Sequence, residues 1–375
     1  MEAENLPVAV IGAGAFGRNH ARVYHELQES GYPVELVAVV DTDLPRAQIV
    51  AAPFRALAFG SLGEALRSAK IDAASVAVPT DRHLEVARAL MENSIDVLIE
   101  KPLAASLAQA DEIAAIAKHT GRLVQVGHLE RFNPAVRATL PLLTQPMFFE
   151  VHRLSVFSPR SLDVDVVLDL MIHDLDIVLA FVKSPVREIR AVGLPILSHK
   201  VDIANVRMEF ESGCVANFTA SRVSTERVRK LRFFQPRQYI SIDYSRQEVL
   251  AFTVTAGPDS LIDSAQPAGS ASRINSPSAA GTPAMAGQKF GPASAMLTGA
   301  AVLAQAGITF SKPAVEQQEP LRAELSSFLE AVRHRTQPEV SLAEGRRALE
   351  VALLVQSAIE EHAHRFDLRA LQPGS

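Results

Sequence analysis

The stretch VAVIGAGAFGRNHARVYHEL, residues 8–27, constrains the fold more than any other. An apolar run suited to a buried strand breaks at Gly12, Gly14 and Gly17, and a helical pattern begins at once. Gly12 permits a tight turn, Gly14 lets the main chain approach a ligand, and Gly17 lets helix and strand pack closely. The unpaired N–H groups where the helix starts, around Ala15 and Phe16, attract negative charge, so the loop suits the diphosphate of a dinucleotide. The pattern counts because it follows a strand, opens a helix and sits in a strand–helix–strand unit.

That rhythm continues. VELVAVVD, ASVAVP, DVLIEKP and LVQVGH alternate with helical patterns such as RHLEVARALMEN and LAQADEIAAIAKHT. Strict alternation implies right-handed crossovers and a parallel sheet covered on both faces, here a dinucleotide-binding domain over residues 1–124. The second strand ends in Asp41, whose carboxylate can accept from ribose hydroxyls and would repel a 2′-phosphate, favouring NAD over NADP. Arg46 is near enough to weaken that preference.

With 375 residues, 48% of them apolar, the chain can fill two cores. Residues 125–371 carry one long amphipathic pattern, VVLDLMIHDLDIVLAFV, then consecutive strand patterns such as REIRAVGL, ANVRMEF, QYISIDY and EVLAFTVT. These predict an α/β domain with a large, mostly antiparallel open sheet, one face burying the helix. The other face is free to meet a second copy, so a homo-oligomer, dimer or tetramer, is expected through this sheet. Residues 257–315, rich in Ala, Ser, Gly and Pro, are expected to form a flexible insertion. Two helices follow, the second opened by a capping box of Ser341 and Glu344.

A net charge of −5 argues against nucleic acid as a partner. MEAENLP is not a secretory signal and no apolar run approaches the ~20 residues of a membrane span, so a cytoplasmic protein without membrane association is expected. The single cysteine, Cys214, excludes an intrachain disulfide and reads as a buried structural thiol.

Two stretches carry chemistry. DVLIEKP places Glu100 and Lys101 at the carboxyl end of a parallel strand, where ligands of such sheets bind, so Lys101 is expected at the reactive end of the crevice. The alternative is a lysine paired with Glu100. In DLMIHD, Asp169 and His173 are four residues apart on a helix, so the aspartate can orient an imidazole able to accept a proton from an alcohol. A satisfied core histidine is the competing reading. A metal set of Asp165, Asp169, His173 and Asp176 is disfavoured because the helix spreads it over three turns, and no metal is expected.

In order, the glycine loop, VPTDRHLEVA, EKP, GHLERFNPA, DLMIHDLD, EPLRAELSSFLEAV and GRRALEVA resemble the Gfo/Idh/MocA oxidoreductases over nearly the whole chain. The resemblance implies a Rossmann domain joined to an open-sheet substrate domain, and oxidation or reduction of a sugar or cyclitol hydroxyl with NAD or NADP. It implies catalytic roles for Lys101, Asp169 and His173, and places Pro79, Thr80, His83, Glu100 and Lys101 itself near the cofactor. DVDVVLD replaces the glycine pair that commonly precedes the aspartate, and the insertion is longer than the family's. Within the family, GHLERFNPAVR and the helix that follows are most similar to members that oxidise C3 of UDP-N-acetylglucosamine on the way to the 2,3-diamino sugars of lipid A. Substrate contacts are then expected from Arg131, Arg153 and Arg160, with His128 and Asn133, unless the arginines pair with Glu130 or Glu150. An inositol or simple-sugar dehydrogenase and a non-catalytic dinucleotide-binding regulator are the alternatives.

Overall fold

The computed structural model describes residues 4–157, 164–255 and 307–366. Its first sheet comprises β1 (Leu6–Ile11), β2 (Val34–Val40), β3 (Leu57–Phe59), β4 (Ala73–Val76), β5 (Asp96–Glu100) and β6 (Val124–Gly127). The order β3-β2-β1-β4-β5-β6, parallel throughout, is the Rossmann arrangement. Its strand order reverses between β1 and β4, which opens a crevice beyond their carboxyl ends. Helices α1 (Ala15–Glu29), α2 (Leu44–Ala51), α3 (Leu62–Ser68), α4 (His83–Glu92) and α5 (Leu107–Thr120) supply the crossovers. Val8, Val10, Val97, Leu98 and Ile99 are inaccessible to solvent, as strands covered on both faces require. The sheet runs on to Gly127, so β6 begins where the first domain was expected to end.

After α6 (Pro134–Thr139) comes β7 (Phe148–Leu154), then a π turn over Val167–Met171 that leads into α7 (Ile172–Val182). The second sheet is completed by β8 (Val186–Leu194), β9 (Ile203–Phe210), β10 (Val215–Ser221), β11 (Val228–Gln235), β12 (Gln238–Asp243), β13 (Glu248–Val254) and β14 (Ile308–Ser311). Among the described residues it is eight-stranded, ordered β14-β13-β12-β11-β7-β10-β9-β8. Only the β7–β10 pair is parallel.

The structure departs from the sequence reading at β14, which lies inside the span expected to be a flexible insertion. Ile308 and Phe310 pair with Val254 and Phe252, adding an edge strand to β13. The 257–306 portion of that expectation lies outside the described residues.

Phe149, Phe218 and Phe233 face Leu175, Val178 and Phe181 of α7 and Val351, Val355 and Ile359 of α9 (Leu342–Arg365). Cys214 is buried nearby, and burial pushes its thiol up to about 11. The helix α8 (Pro320–His334) returns to the first sheet, where Leu325, Phe328 and Leu329 pack with Val8, Val10 and Tyr24. The expected capping box forms at α9, with Ser341 and Glu344 each accepting from the other's main-chain N–H. A Cβ on Gly345 would sit 2.5 Å from the Val126 side chain, so α9 lies directly on β6. This clasp sets the carboxyl end of β5 beside the π turn, and the candidate site forms there.

Candidate active site

The glycine loop has the geometry a diphosphate needs. Gly12 has φ +99°, and a Cβ on it would lie 2.5 Å from the Ala77 carbonyl oxygen. A Cβ on Gly17 would lie 1.7 Å from the Gly12 carbonyl oxygen. Gly14 has nothing within 4 Å of that position, so this side of the loop is open at the start of α1. Ala15 and Phe16 form the first turn of that helix, and Phe16 is exposed.

Asp41 has a further duty that its sequence position does not reveal. Its Oδ2 accepts from the Ala13 N–H at 2.8 Å and its Oδ1 from the Asp43 N–H at 2.9 Å, so the carboxylate braces the glycine loop. Arg46 donates to Asp43 at 3.0 Å and stands 3.6 Å from Asp41. A cleft of about 860 Å³ opens here, lined by Gly12, Gly14, Asp41 and Pro79 and by residues the sequence reading missed, including Ser61, Leu62, Arg82 and Val86. Their position after β3 and β4 was the available signal, since ligands of such sheets sit beyond the strand ends. Thr80 opens a single turn behind Pro79.

His83 and Glu100 hold the frame of the site. His83 is buried, its Nδ1 3.0 Å from the Pro102 carbonyl oxygen and its Nε2 3.1 Å from that of Val78. It ties the loop after β4 to the turn after β5, and burial pushes its imidazole below the ordinary range. The Glu100 carboxylate turns toward the buried His20 of α1, at 2.8 Å, rather than toward Lys101. Burial works against its charge, but the His20 contact and the positive charge of Lys101 hold it below the usual carboxylate range.

Lys101, joined to Pro102 by a cis peptide bond, reaches the other way. Its Nζ donates to the main-chain oxygen of Asp169 at 2.7 Å and lies 3.7 Å from Asp169 Oδ1. Burial pushes the ammonium below its ordinary range despite that carboxylate.

This corrects the expected aspartate–histidine pair. Asp169 lies in the π turn and His173 in the α-helix after it, and the Asp169 carboxylate goes to the lysine. A buried ammonium needs a counter-charge more than a neutral imidazole does. His173 is half-buried, with an Nδ1 that is buried and unpartnered. Burial, followed by the charges of Lys101 and Arg153, pushes its imidazole well below the usual range. His128 is also buried, with both ring nitrogens unpartnered.

Of the expected substrate arginines, Arg153 takes the alternative of pairing with Glu130, and Arg131 pairs with carboxylates that were not foreseen. Arg153 donates to Asp174 at 2.7 and 2.9 Å and to Glu130 at 3.0 Å, fully buried. Arg131 donates to Asp176 at 2.6 and 3.0 Å and to Glu344 at 3.2 Å. Their forked guanidinium groups join elements of the fold instead of presenting open charge. Asn133 caps α6, accepting from the Ala135 N–H, while its Nδ2 donates to Glu130 and to the Tyr244 carbonyl oxygen. Arg160 lies outside the described residues. One cation that the sequence reading overlooked, Arg229, faces Arg153 across the β7–β11 pair.

The family described as the GFO/IDH/MocA oxidoreductases with an NAD-binding Rossmann fold matches residues 6–128, and the C-terminal domain of that family matches residues 149–240. The chain belongs to the Gfo/Idh/MocA oxidoreductase family. Its first sheet and glycine loop are the family's NAD-binding domain. A UDP-N-acetylglucosamine 3-dehydrogenase from Acidithiobacillus ferrooxidans is 37% identical over 241 residues, 64% of this chain and 74% of the relative. An inositol 2-dehydrogenase from Rubrobacter xylanophilus is 32% identical over 200 residues, 52% of this chain and 57% of the relative. The solved structure of the Acidithiobacillus enzyme matches with a TM-score of 0.77 at 29% identity, covering 96% of this chain and 99% of that one. The first match includes Lys101 and the second Asp169 and His173.

Proposed function

We propose that this Gfo/Idh/MocA protein is a dehydrogenase that oxidises the C3 hydroxyl of UDP-N-acetylglucosamine to the ketone, a step toward the 2,3-diamino sugars of lipid A. The observation that carries the dehydrogenase reading is the Lys101 ammonium, held 2.7 Å from the main-chain oxygen of Asp169 in the turn that leads into the helix of His173, whose imidazole burial pushes well below its usual range. The nucleotide-sugar substrate is supported by likeness to the Acidithiobacillus enzyme.

When bound, NAD supplies the acceptor for the hydride that leaves C3. Lys101 and His173 handle the proton. The lysine, charged and paired with Asp169, donates a hydrogen bond to the C3 oxygen and holds it in place. The imidazole, kept neutral by burial and by neighbouring cations, accepts the hydroxyl proton at Nε2 as the carbonyl forms. Asp169 positions the lysine.

Turnover of UDP-N-acetylglucosamine with NAD, followed by NADH absorbance, tests the proposal. NADH formation with this sugar and not with myo-inositol or glucose supports it, and the reverse pattern refutes the substrate. An inositol dehydrogenase is the second reading, favoured by the commitment of Arg131 and Arg153 to carboxylates, which removes two cations expected for a diphosphate.

We also propose a homo-oligomer formed through the second sheet. On the face opposite Phe149 and Phe233, the rings of Phe148, Phe234, Tyr239, Phe252 and Phe310 run across β7, β11, β12, β13 and β14 with successive centroids 5.0 to 5.7 Å apart. Such a continuous, partly exposed aromatic row suits a second copy of the same face.

A further inference from the structure

Among the described residues, the cations around the reactive end of the crevice have carboxylate partners, with one exception. Arg131 holds Asp176 and Glu344, Arg153 holds Asp174 and Glu130, and Lys101 holds Asp169. Arg229 makes no ion pair or side-chain hydrogen bond with any described residue, and its Nε is buried without a partner.

Its location follows from strand register. Arg229 of β11 is the direct partner of Arg153 of β7, two positions before the core-facing Leu231, just as Arg153 stands two positions beyond the core-facing Val151. Side chains two apart share a face, so both arginines issue from the sheet toward α7. Arg153 is bound there to Asp174, the residue next to His173. Arg229 lies close enough for its charge to act on the His173 ring.

A half-buried guanidinium beside a second one is costly unless something compensates it. Burial and the charges of Arg153 and Arg227 push Arg229 below its ordinary range, outweighing Glu130 and Asp174. Glutamine or leucine would meet a purely structural need at this place without the electrostatic cost. An arriving anion would relieve it, and the exposed Arg227 adds to the positive field.

We propose that Arg229 binds the diphosphate of a nucleoside-diphosphate sugar and thereby selects such sugars over neutral cyclitols. This rests on the nucleotide-sugar reading above. The planar guanidinium can donate two parallel hydrogen bonds to phosphate oxygens, the role that Arg131 and Arg153 cannot fill.

The test compares wild type with Arg229→Gln and Arg229→Lys, each loaded with NAD. UDP-N-acetylglucosamine and myo-inositol serve as substrates and UDP as a competitor. In Arg229→Gln, KM for UDP-N-acetylglucosamine is expected to rise about tenfold or more while kcat falls less than about threefold, as loss of a charged hydrogen bond made equally in ground and transition states requires. UDP inhibition should weaken by a similar factor, Arg229→Lys should recover part of both, and unchanged NAD affinity would show that the variants are folded. If wild type turns over the nucleotide sugar and Arg229→Gln keeps both KM and UDP inhibition within about twofold, the assignment is overturned. If wild type oxidises only neutral substrates, the nucleotide-sugar reading fails, and calorimetric UDP binding decides the Arg229 assignment separately. Binding to wild type that the glutamine variant loses sustains an anion site, whereas equal binding or none overturns it.

Discussion

The Lys101 ammonium, at the end of a strand in the first sheet, donates to the main-chain oxygen of Asp169 in the π turn ahead of α7, at 2.7 Å. This bond crosses the seam between the two sheets at the point where the crevice ends, and it sets which groups can do chemistry there. Lys101→Met should lower kcat by about 10²- to 10⁴-fold, the usual range for a positioned acid–base group, while NAD affinity changes little. Asp169→Asn should cost less, because the main-chain acceptor remains. Stopped-flow NADH formation and NAD fluorescence titration separate the two effects, and loss of NAD binding in Lys101→Met would refute the assignment.

Two displaced pKa values predict the pH profile. His173 must be neutral to accept a proton, and its imidazole titrates well below 6.5, so the acid limb of kcat/KM should lie below the ordinary histidine range. Lys101 must be charged to donate, and its ammonium titrates below 10.5, so the alkaline limb should fall below the ordinary lysine range. His173→Ala should remove the acid limb and Lys101→Met the alkaline one. An acid limb unchanged in His173→Ala would show that another group takes the proton.

Arg153 joins α7 and the segment around Glu130 to the second sheet, and its loss strands two buried carboxylates. Arg153→Met should destabilise the fold by about 3–5 kcal/mol, the cost of leaving a buried charge unpaired. Replacing Asp174 by Leu in the same chain should recover part of that loss. Urea unfolding of the single and double variants provides the measurement, and a stable single variant would show that the cluster is better hydrated than its burial indicates.

The glycine loop and the EKP turn are legible in sequence because each depends on residues adjacent in the chain. The roles of Arg131 and Arg153 are less so, because their partners lie far away in sequence, and of those only Glu130 is expected from the sequence. Asn133 caps the helix that starts at the next residue, a local role. Arg153 meets Asp174 and Glu130 only through the orientation of α7 and the β7–β11 register. In DLMIHD the four-residue spacing is real, but the competitor for the aspartate, Lys101, is 68 residues away. The strand β7 begins two residues after Pro146 and its burial alternates along its length, so its turn signal and its pattern were both present in the sequence. At β14, local composition resembles an insertion, and only pairing with β13 reveals an edge strand.

Charge placed in the aromatic row should separate the proposed oligomer. Phe234 is 38% exposed and Phe310 44%, so Asp at either position leaves the packed face of the sheet untouched. Burying two carboxylates across a symmetric contact is unfavourable. Light scattering after size exclusion should show a multimer for wild type and a monomer for Phe234→Asp/Phe310→Asp. A monomeric wild type would refute the oligomer outright.

Glu324 gives a stability prediction with a definite sign. It lies on α8 against the first sheet, wholly buried, with neither carboxyl oxygen hydrogen-bonded. Burial and the nearby Glu100 charge hold its carboxyl well above the ordinary range. In the unfolded chain it titrates near ~4.3, so as pH rises from there to the native value the unfolded state releases a proton that the folded state keeps. Folding is therefore disfavoured progressively across that window, by about 1.4 kcal/mol for each pH unit. Glu324→Gln, which keeps the shape and removes the titration, should melt above wild type at about pH 8 and draw level near the unfolded pKa. A variant less stable than wild type at the higher pH would mean that the native carboxylate is ionised and held by a counter-charge.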